Sequence, residues 1–260
     1  MFETLDVRTD PRGVAVLALD RPAQHNALNA AMMRELTRAA KVLGEDETVR
    51  VVILTGTGRS FCAGGDLGWM RQQMEGDRKS RAMEARRLAE MLLALRTIPK
   101  PLIGRVQGSA FGGGVGMACV CDVAIGALGS RYGLTETRLG LVPATVGPYV
   151  IARMGEAKAR RVFMSGRVFG AEEAVTLGVL AKAVRADDLD LAVEEEVVPY
   201  LGAAPGAVAE AKALLGRLGS IADGAVIEDT VATLMGRWEE EEAREGIRAF
   251  FEKRKPAWTS

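Results

Sequence analysis

Two glycine-bearing loops, each placed after a short run that reads as a strand, constrain this chain more than any other feature. Val51–Leu54 is wholly apolar, stops at Thr55-Gly56-Thr57-Gly58, and leads into FCAGGDL at residues 61–67. Leu102–Val106 repeats the layout and leads into GSAFGGGVGM at residues 108–117. A run that is apolar at consecutive positions suits a strand covered on both faces, and a glycine loop followed by helical sequence places a helix N-terminus at the end of that strand. Val14–Leu19 and Val123–Ala127 read as further buried strands. Between them, Asn29 is a helix cap before Met33, Leu36, Ala40 and Leu43, and residues 80–96 carry Ala85, Leu88, Leu92 and Leu95 on one face. Residues 108–113 read as loop and 114–121 as a short buried helix. The pattern predicts an α/β fold with a parallel sheet, followed from about Gly155 by mostly helical chain. The organisation expected is a core over residues 1–200 and a helical lobe over 201–260.

Composition removes several classes of function. Thirty-four Lys and Arg balance 34 Asp and Glu, so no net field favours nucleic acid or an anionic membrane. The longest apolar run, Ala110–Cys121, has 12 residues and four glycines, too short to span a bilayer. Three cysteines, Cys62, Cys119 and Cys121, do not make a disulfide framework and read as core thiols, which with the absence of an export signal places the protein in the cytoplasm. One histidine, His25, rules out a site with several histidine ligands. Proton transfer falls to a carboxylate.

The glycine runs fail the usual tests for nucleotide binding. Gly112 and Gly114 would need Gly or Ala at 117, which is Met, and Gly114 and Gly116 would need one at 119, which is Cys. Ser109 lies outside a nucleophile elbow. Two readings remain open: the glycines serve tight turns and close packing, or two main-chain N–H groups from adjacent loops converge on a developing oxyanion.

The motifs, taken together, resemble one family. RPxxxNAL at residues 21–28, FCAGGDL at 61–67, VQGSAFGGGVGMACVCDV at 106–123, GLTETRLGLVP at 133–143 and FFEKRKP at 250–256 are similar, in that order, to the crotonase superfamily, the enoyl-CoA hydratases and isomerases. The resemblance implies a crotonase-like ββα spiral with a helical C-terminal lobe that packs between subunits. It implies an oxyanion hole from the amides of Gly65 and Gly113, with Glu136 as acid and base. It also implies contacts to coenzyme A from Ala23, Gln24, His25, Ala63, Gly65, Asp66 and Leu67. Lys253, Arg254 and Lys255 are candidates for the cofactor's phosphates.

One departure stands out. The family's hydratases use two glutamates, and alignment through Cys121-Asp122 puts the first at Gly116, leaving Glu136 alone. Gly116 is expected to free space beside the acyl group. Within the family, DLGWM at residues 66–70 and TETRLGLVPATVGPYV at 135–150 are most similar to the bacterial methylglutaconyl-CoA hydratases of leucine breakdown. A carboxylated acyl group would need a cation, for which Arg71, Arg131 and Arg138 are candidates.

These features predict a hydro-lyase adding water to the 2,3-double bond of a branched or carboxylated enoyl-CoA. An enoyl-CoA isomerase and a non-catalytic acyl-CoA binder are the alternatives. Coenzyme A is expected only as part of the substrate, with no metal and no permanently bound cofactor. No nucleic-acid or membrane partner is expected, and the assembly expected is a homotrimer or a dimer of trimers.

Overall fold

The computed structural model describes residues 2–219 and 224–258. One sheet is built from β1 (Leu5–Thr9), β2 (Val14–Leu19), β3 (Val51–Gly56), β5 (Leu102–Val106), β7 (Val123–Ala127) and β10 (Lys182–Val184), neighbours in that order. β1 pairs antiparallel with β2, and the remaining pairs are parallel. A second sheet joins β4 (Ser60–Cys62), β6 (Ser109–Phe111), β8 (Arg131–Gly133) and β9 (Val168–Gly170). Its first three strands are parallel, and β9 closes it antiparallel.

The apolar runs take the places the sequence predicts because the large sheet is covered twice. Along β3, Val52 and Leu54 point into a core shared with α1 (Ala30–Glu45) and α3 (Arg78–Thr97). Val51 and Ile53 point to the other face, where Leu189, Ala192, Val193 and Val197 of α8 (Leu189–Leu201) cover them. Period-two alternation is therefore apolar on both sides. α1 begins where Asn29 accepts the Met32 amide at 2.9 Å and buries Met33, Leu36, Ala40 and Leu43.

Residues 108–113 are not simply loop. Ser109–Phe111 form β6, held between β4 and β8, and Gly113 already starts α4 (Gly113–Val120), whose eight residues are all buried. Cys62, Cys119 and Cys121 are buried, and loss of hydration pushes each thiol up to about 12.

Beyond α4 come α5 (Gly147–Met154), α6 (Glu156–Phe163) and α7 (Ala171–Leu177). After α8 the chain forms α9 (Pro205–Leu218), α10 (Gly224–Glu239) and α11 (Glu241–Phe251). α10 and α11 fold back on their own chain: Ile227, Val231, Met235, Trp238 and Ile247 share a core with Ala85 and Ala89 of α3 and with Leu141. Arg237 donates to the Gly140 carbonyl through two nitrogens at 2.9 and 3.0 Å. Gly140 (φ 73°) and Gly246 let α11 approach main chain to main chain: a Cβ at Gly140 would stand 2.4 Å from the Glu242 oxygen. No helix of the described residues is long and apolar enough to cross a membrane.

Candidate active site

The small parallel sheet organises the candidate residues. β4, β6 and β8 lie side by side, and their C-terminal ends release Gly64–Gly65, Gly112–Gly113 and Thr135–Glu136 respectively. Ligand sites in parallel sheets form beyond this strand end. Gly112 accepts little freedom of identity. It lies at φ 49°, ψ −114°, its amide donates to Gly133 at 2.9 Å, and a Cβ there would stand 2.9 Å from Glu136 Oε1. Only a residue without a side chain admits the carboxyl so close to the turn.

Glu136 opens a 3-10 turn, Glu136–Leu139, and carries no charge partner among the described residues. Its Oε2 is buried without a hydrogen-bond partner. Burial pushes the carboxyl up to about 7, opposed only by its own amide. A carboxylic acid poised there exchanges protons near neutral pH.

The Gly65 and Gly113 amides donate to no protein acceptor among the described residues. Gly113 is the first residue of α4, where helix amides have no partner of their own. Around them stand Leu28 and Leu88, 2.5 and 3.9 Å from a Cβ placed at Gly113, and Met70 and Trp69, 3.3 and 3.4 Å from one at Gly65.

The residues expected to contact coenzyme A adjoin one another. Leu28 pairs with Gly65 in a short parallel bridge, with Leu28 N to Gly64 O at 2.7 Å and Asp66 N to Leu28 O at 2.9 Å, while Ala63 donates to the His25 carbonyl at 3.0 Å. Ala23, Gln24, Ala63 and Leu67 are exposed along this strip. The bend is held by Asn26, fully buried at φ 55°, which accepts from Arg21 N and donates to Thr57 O and Ser60 O. In the sequence Asn26 stands out only as a motif letter; its left-handed backbone is the reason for an Asn there. His25 is itself left-handed, its Nδ1 3.0 Å from Ser60 Oγ and its Nε2 3.2 Å from an Arg59 nitrogen. Asp66 turns its side chain to structure: Oδ1 caps α2 (Leu67–Glu75) through Gly68 and Trp69, and Oδ2 accepts from Arg21 at 3.0 Å.

A profile of the Enoyl-CoA hydratase/isomerase family matches residues 9–260. The chain belongs to this family. A Thermus thermophilus protein named as an enoyl-CoA hydratase is 34% identical over 257 residues, covering 96% of this chain and 99% of its own. Crystal structures of enoyl-CoA hydratases from Shewanella pealeana and Mycobacterium smegmatis are 35% and 33% identical. Both cover 99% of this chain, and 96% and 100% of their own, with TM-scores of 0.81. The fold is accordingly the crotonase-type α/β spiral with a helical C-terminal region.

Compared with the family's two-glutamate site, the expectation for residue 116 needs correction. Gly116 does not leave space: a Cβ there would meet Val146 Cγ1 at 2.7 Å and Leu92 Cδ2 at 3.4 Å. The volume is already filled by core side chains. Nor are the candidate cations gathered at Glu136. Arg71 stacks on Phe251, 4.9 Å from the ring centre, Arg138 lies over Gly166, and Arg131 is exposed. Arg254 pairs with Glu245 and Glu252 at the surface.

Proposed function

We propose that this enzyme adds water across the 2,3-double bond of an enoyl-CoA thioester whose acyl part is branched or carboxylated. The single observation that carries the proposal is the Glu136 carboxyl, its Oε2 buried without a partner, held against Gly112 beside the free Gly113 amide and pushed up to about 7 by loss of hydration. In this scheme the Gly65 and Gly113 amides hold the thioester oxygen as the enolate forms. Each such donor contributes about 3 to 4 kcal/mol to the transition state. Glu136 as carboxylate takes a proton from the water whose oxygen bonds to C3, and as acid returns that proton to C2, so one residue closes the proton cycle. Coenzyme A enters only as the substrate's handle, along the strip of Ala23, Gln24, His25, Ala63 and Leu67. Assembly as a homotrimer or a dimer of trimers belongs to the same proposal, and the exposed Leu214, Leu215 and Leu218 of α9 support a covered surface there.

A second reading, double-bond isomerisation, draws support from Val146. With apolar side chains behind Gly116, no second carboxyl stands at that position to hold the attacking water, and moving a proton between C4 and C2 needs one base only. The test offers crotonyl-CoA, 3-methylglutaconyl-CoA and a 3-enoyl-CoA to the purified protein, following the conjugated thioester absorbance. Loss of absorbance with the first two supports hydration. A rise with the third alone replaces hydration by isomerisation, and no change with any of them ends both readings.

A further inference from the structure

The turn that bears the Gly65 amide is held by main chain and by two side chains for which the proton chemistry has no use. Leu28 grips both neighbours of Gly65, through Leu28 N to Gly64 O at 2.7 Å and Asp66 N to Leu28 O at 2.9 Å. In the direction that a side chain of residue 65 would take stand Met70 Cγ and Trp69 Cζ3, 3.3 and 3.4 Å from a Cβ placed there. Met70 has an unbranched, adaptable chain. Trp69 is rigid, and one polar bond orients it: its Nε1 donates to Glu84 Oε2 at 2.8 Å.

Glu84 is 8% exposed, and both its oxygens are engaged, Oε2 by Trp69 and Oε1 by Arg87. A carboxylate taken out of water in this way adds little stability over an apolar residue of similar size, because desolvation offsets the pairing. What it supplies is direction. An indole has a single N–H, so the bond fixes which edge of the ring faces Glu84 and hence which edge meets Gly65.

The same helix reaches the second amide. Leu88 lies one turn beyond Glu84 on the same face of α3, and its Cδ1 stands 3.9 Å from a Cβ placed at Gly113. α3 therefore touches Gly113 directly and Gly65 through Trp69. At the far end of α2, Arg81 of α3 donates to the Gln73 and Met74 carbonyls at 2.6 and 2.9 Å, which leaves the Trp69–Glu84 bond as the tie at the end next to Gly65. Two donors stabilise one developing oxyanion only where both stand within hydrogen-bond distance of it.

We propose that Trp69 is a positioning residue: anchored by Glu84, its ring sets where the Gly65 amide stands relative to the Gly113 amide. This rests on the oxyanion-hole reading above and adds the side chain that fixes its geometry. The test uses acetoacetyl-CoA, a β-keto thioester with no double bond to hydrate, whose enolate absorbs in the near ultraviolet, and butyryl-CoA, which forms no such enolate. Bound to the wild type at a fixed pH near neutrality, acetoacetyl-CoA is expected to show a higher enolate-to-keto ratio than free in the same buffer. In Trp69→Phe, which keeps a ring and loses the N–H, and in Glu84→Leu, which removes the acceptor, that ratio should fall about tenfold or more, while most of the affinity for butyryl-CoA is kept. Glu84→Gln keeps an acceptor for the indole and should keep the ratio near that of the wild type. A ratio unchanged in Trp69→Phe or in Glu84→Leu, a Glu84→Gln variant that loses it as well, or an equal loss of butyryl-CoA affinity overturns the positioning role and leaves the oxyanion hole standing. A wild type that raises no enolate overturns the oxyanion hole itself.

Discussion

Val146 occupies the place that a side chain at residue 116 would need: a Cβ there would lie 2.7 Å from Val146 Cγ1 and 3.2 Å from Val146 Cβ. Gly116 and Val146 are thus a packed pair. Gly116→Ala gains up to about 1 kcal/mol of helix propensity but overpacks the core at a cost of about 1–3 kcal/mol, so a net loss is expected. Adding Val146→Ala should restore part of it, with a coupling of at least about 0.5 kcal/mol between the two sites. Urea unfolding of the two single variants and the double variant measures the cycle, and strict additivity would refute the pairing. Gly116→Glu should lose more than about 3 kcal/mol, because it buries a carboxylate among Val146 and Leu92.

Glu136 makes stability depend on pH in a definite direction. Its folded-state value, about 7, lies above the 4.5 of an ordinary Glu, so the native state binds more protons than the unfolded one between these limits. Stability from this group is full below 4.5 and is lost as pH rises through 7. Each pH step of one between the two values carries about 1.4 kcal/mol, so the whole loss is about 3 kcal/mol. Glu136→Gln should match the wild type at pH 4 and exceed it by up to about 3 kcal/mol at pH 8. Chemical denaturation at the two pH values decides, and a variant advantage that is the same at both would exclude burial of the charge as its source.

The same titration governs rate. If the carboxylate is the working base of the free enzyme, kcat/KM rises with pH and levels off above about 7, with a single acid limb because Glu136 acts without a second carboxyl. Glu136→Gln should lose about 10²- to 10⁴-fold in kcat and lose the limb with it, while keeping its affinity for a saturated acyl-CoA. Retention of the limb in the variant would assign it to another group.

The large sheet is legible in the sequence because three of its strands are short apolar runs, and a fourth, Leu102–Val106, is interrupted only by Arg105 among its side chains. The small sheet is not. Its four strands have three residues each, among them Ser109–Phe111 and Arg131–Gly133, too few for alternation to register, and they exist only because such segments lie side by side. Yet this sheet brings Gly65, Gly113 and Glu136 to one edge. Nothing in Thr-Glu-Thr-Arg signals that the Glu136 carboxyl is removed from water or that it stands against Gly112, far away in sequence. The vacancy expected at Gly116 fails for the same reason: the sequence displays a missing side chain but not the Val146 that fills its place.

Asp66 and Arg21 tie the two exposed strips together. Asp66 caps α2 through the Gly68 and Trp69 amides at 2.9 and 3.1 Å, and its other oxygen meets an Arg21 nitrogen at 3.0 Å, with both side chains less than one-fifth exposed. Arg21 also donates to the Ala27 carbonyl at 2.7 Å, so the pair fixes residues 21–28 against 63–69. Asp66→Ala removes the cap, worth about 1 kcal/mol, and strands a half-buried guanidinium, so a loss of about 2–4 kcal/mol is expected. Asp66→Asn keeps a capping oxygen and loses only the charge, and should fall by about half as much. Because the loosened segments carry the Gly65 amide as well as Ala23, His25 and Ala63, kcat should fall and KM for an acyl-CoA should rise together in both variants. Urea midpoints together with steady-state kinetics check both halves, and equal stability of the Ala and Asn variants would mean that the cap contributes nothing to holding the loop.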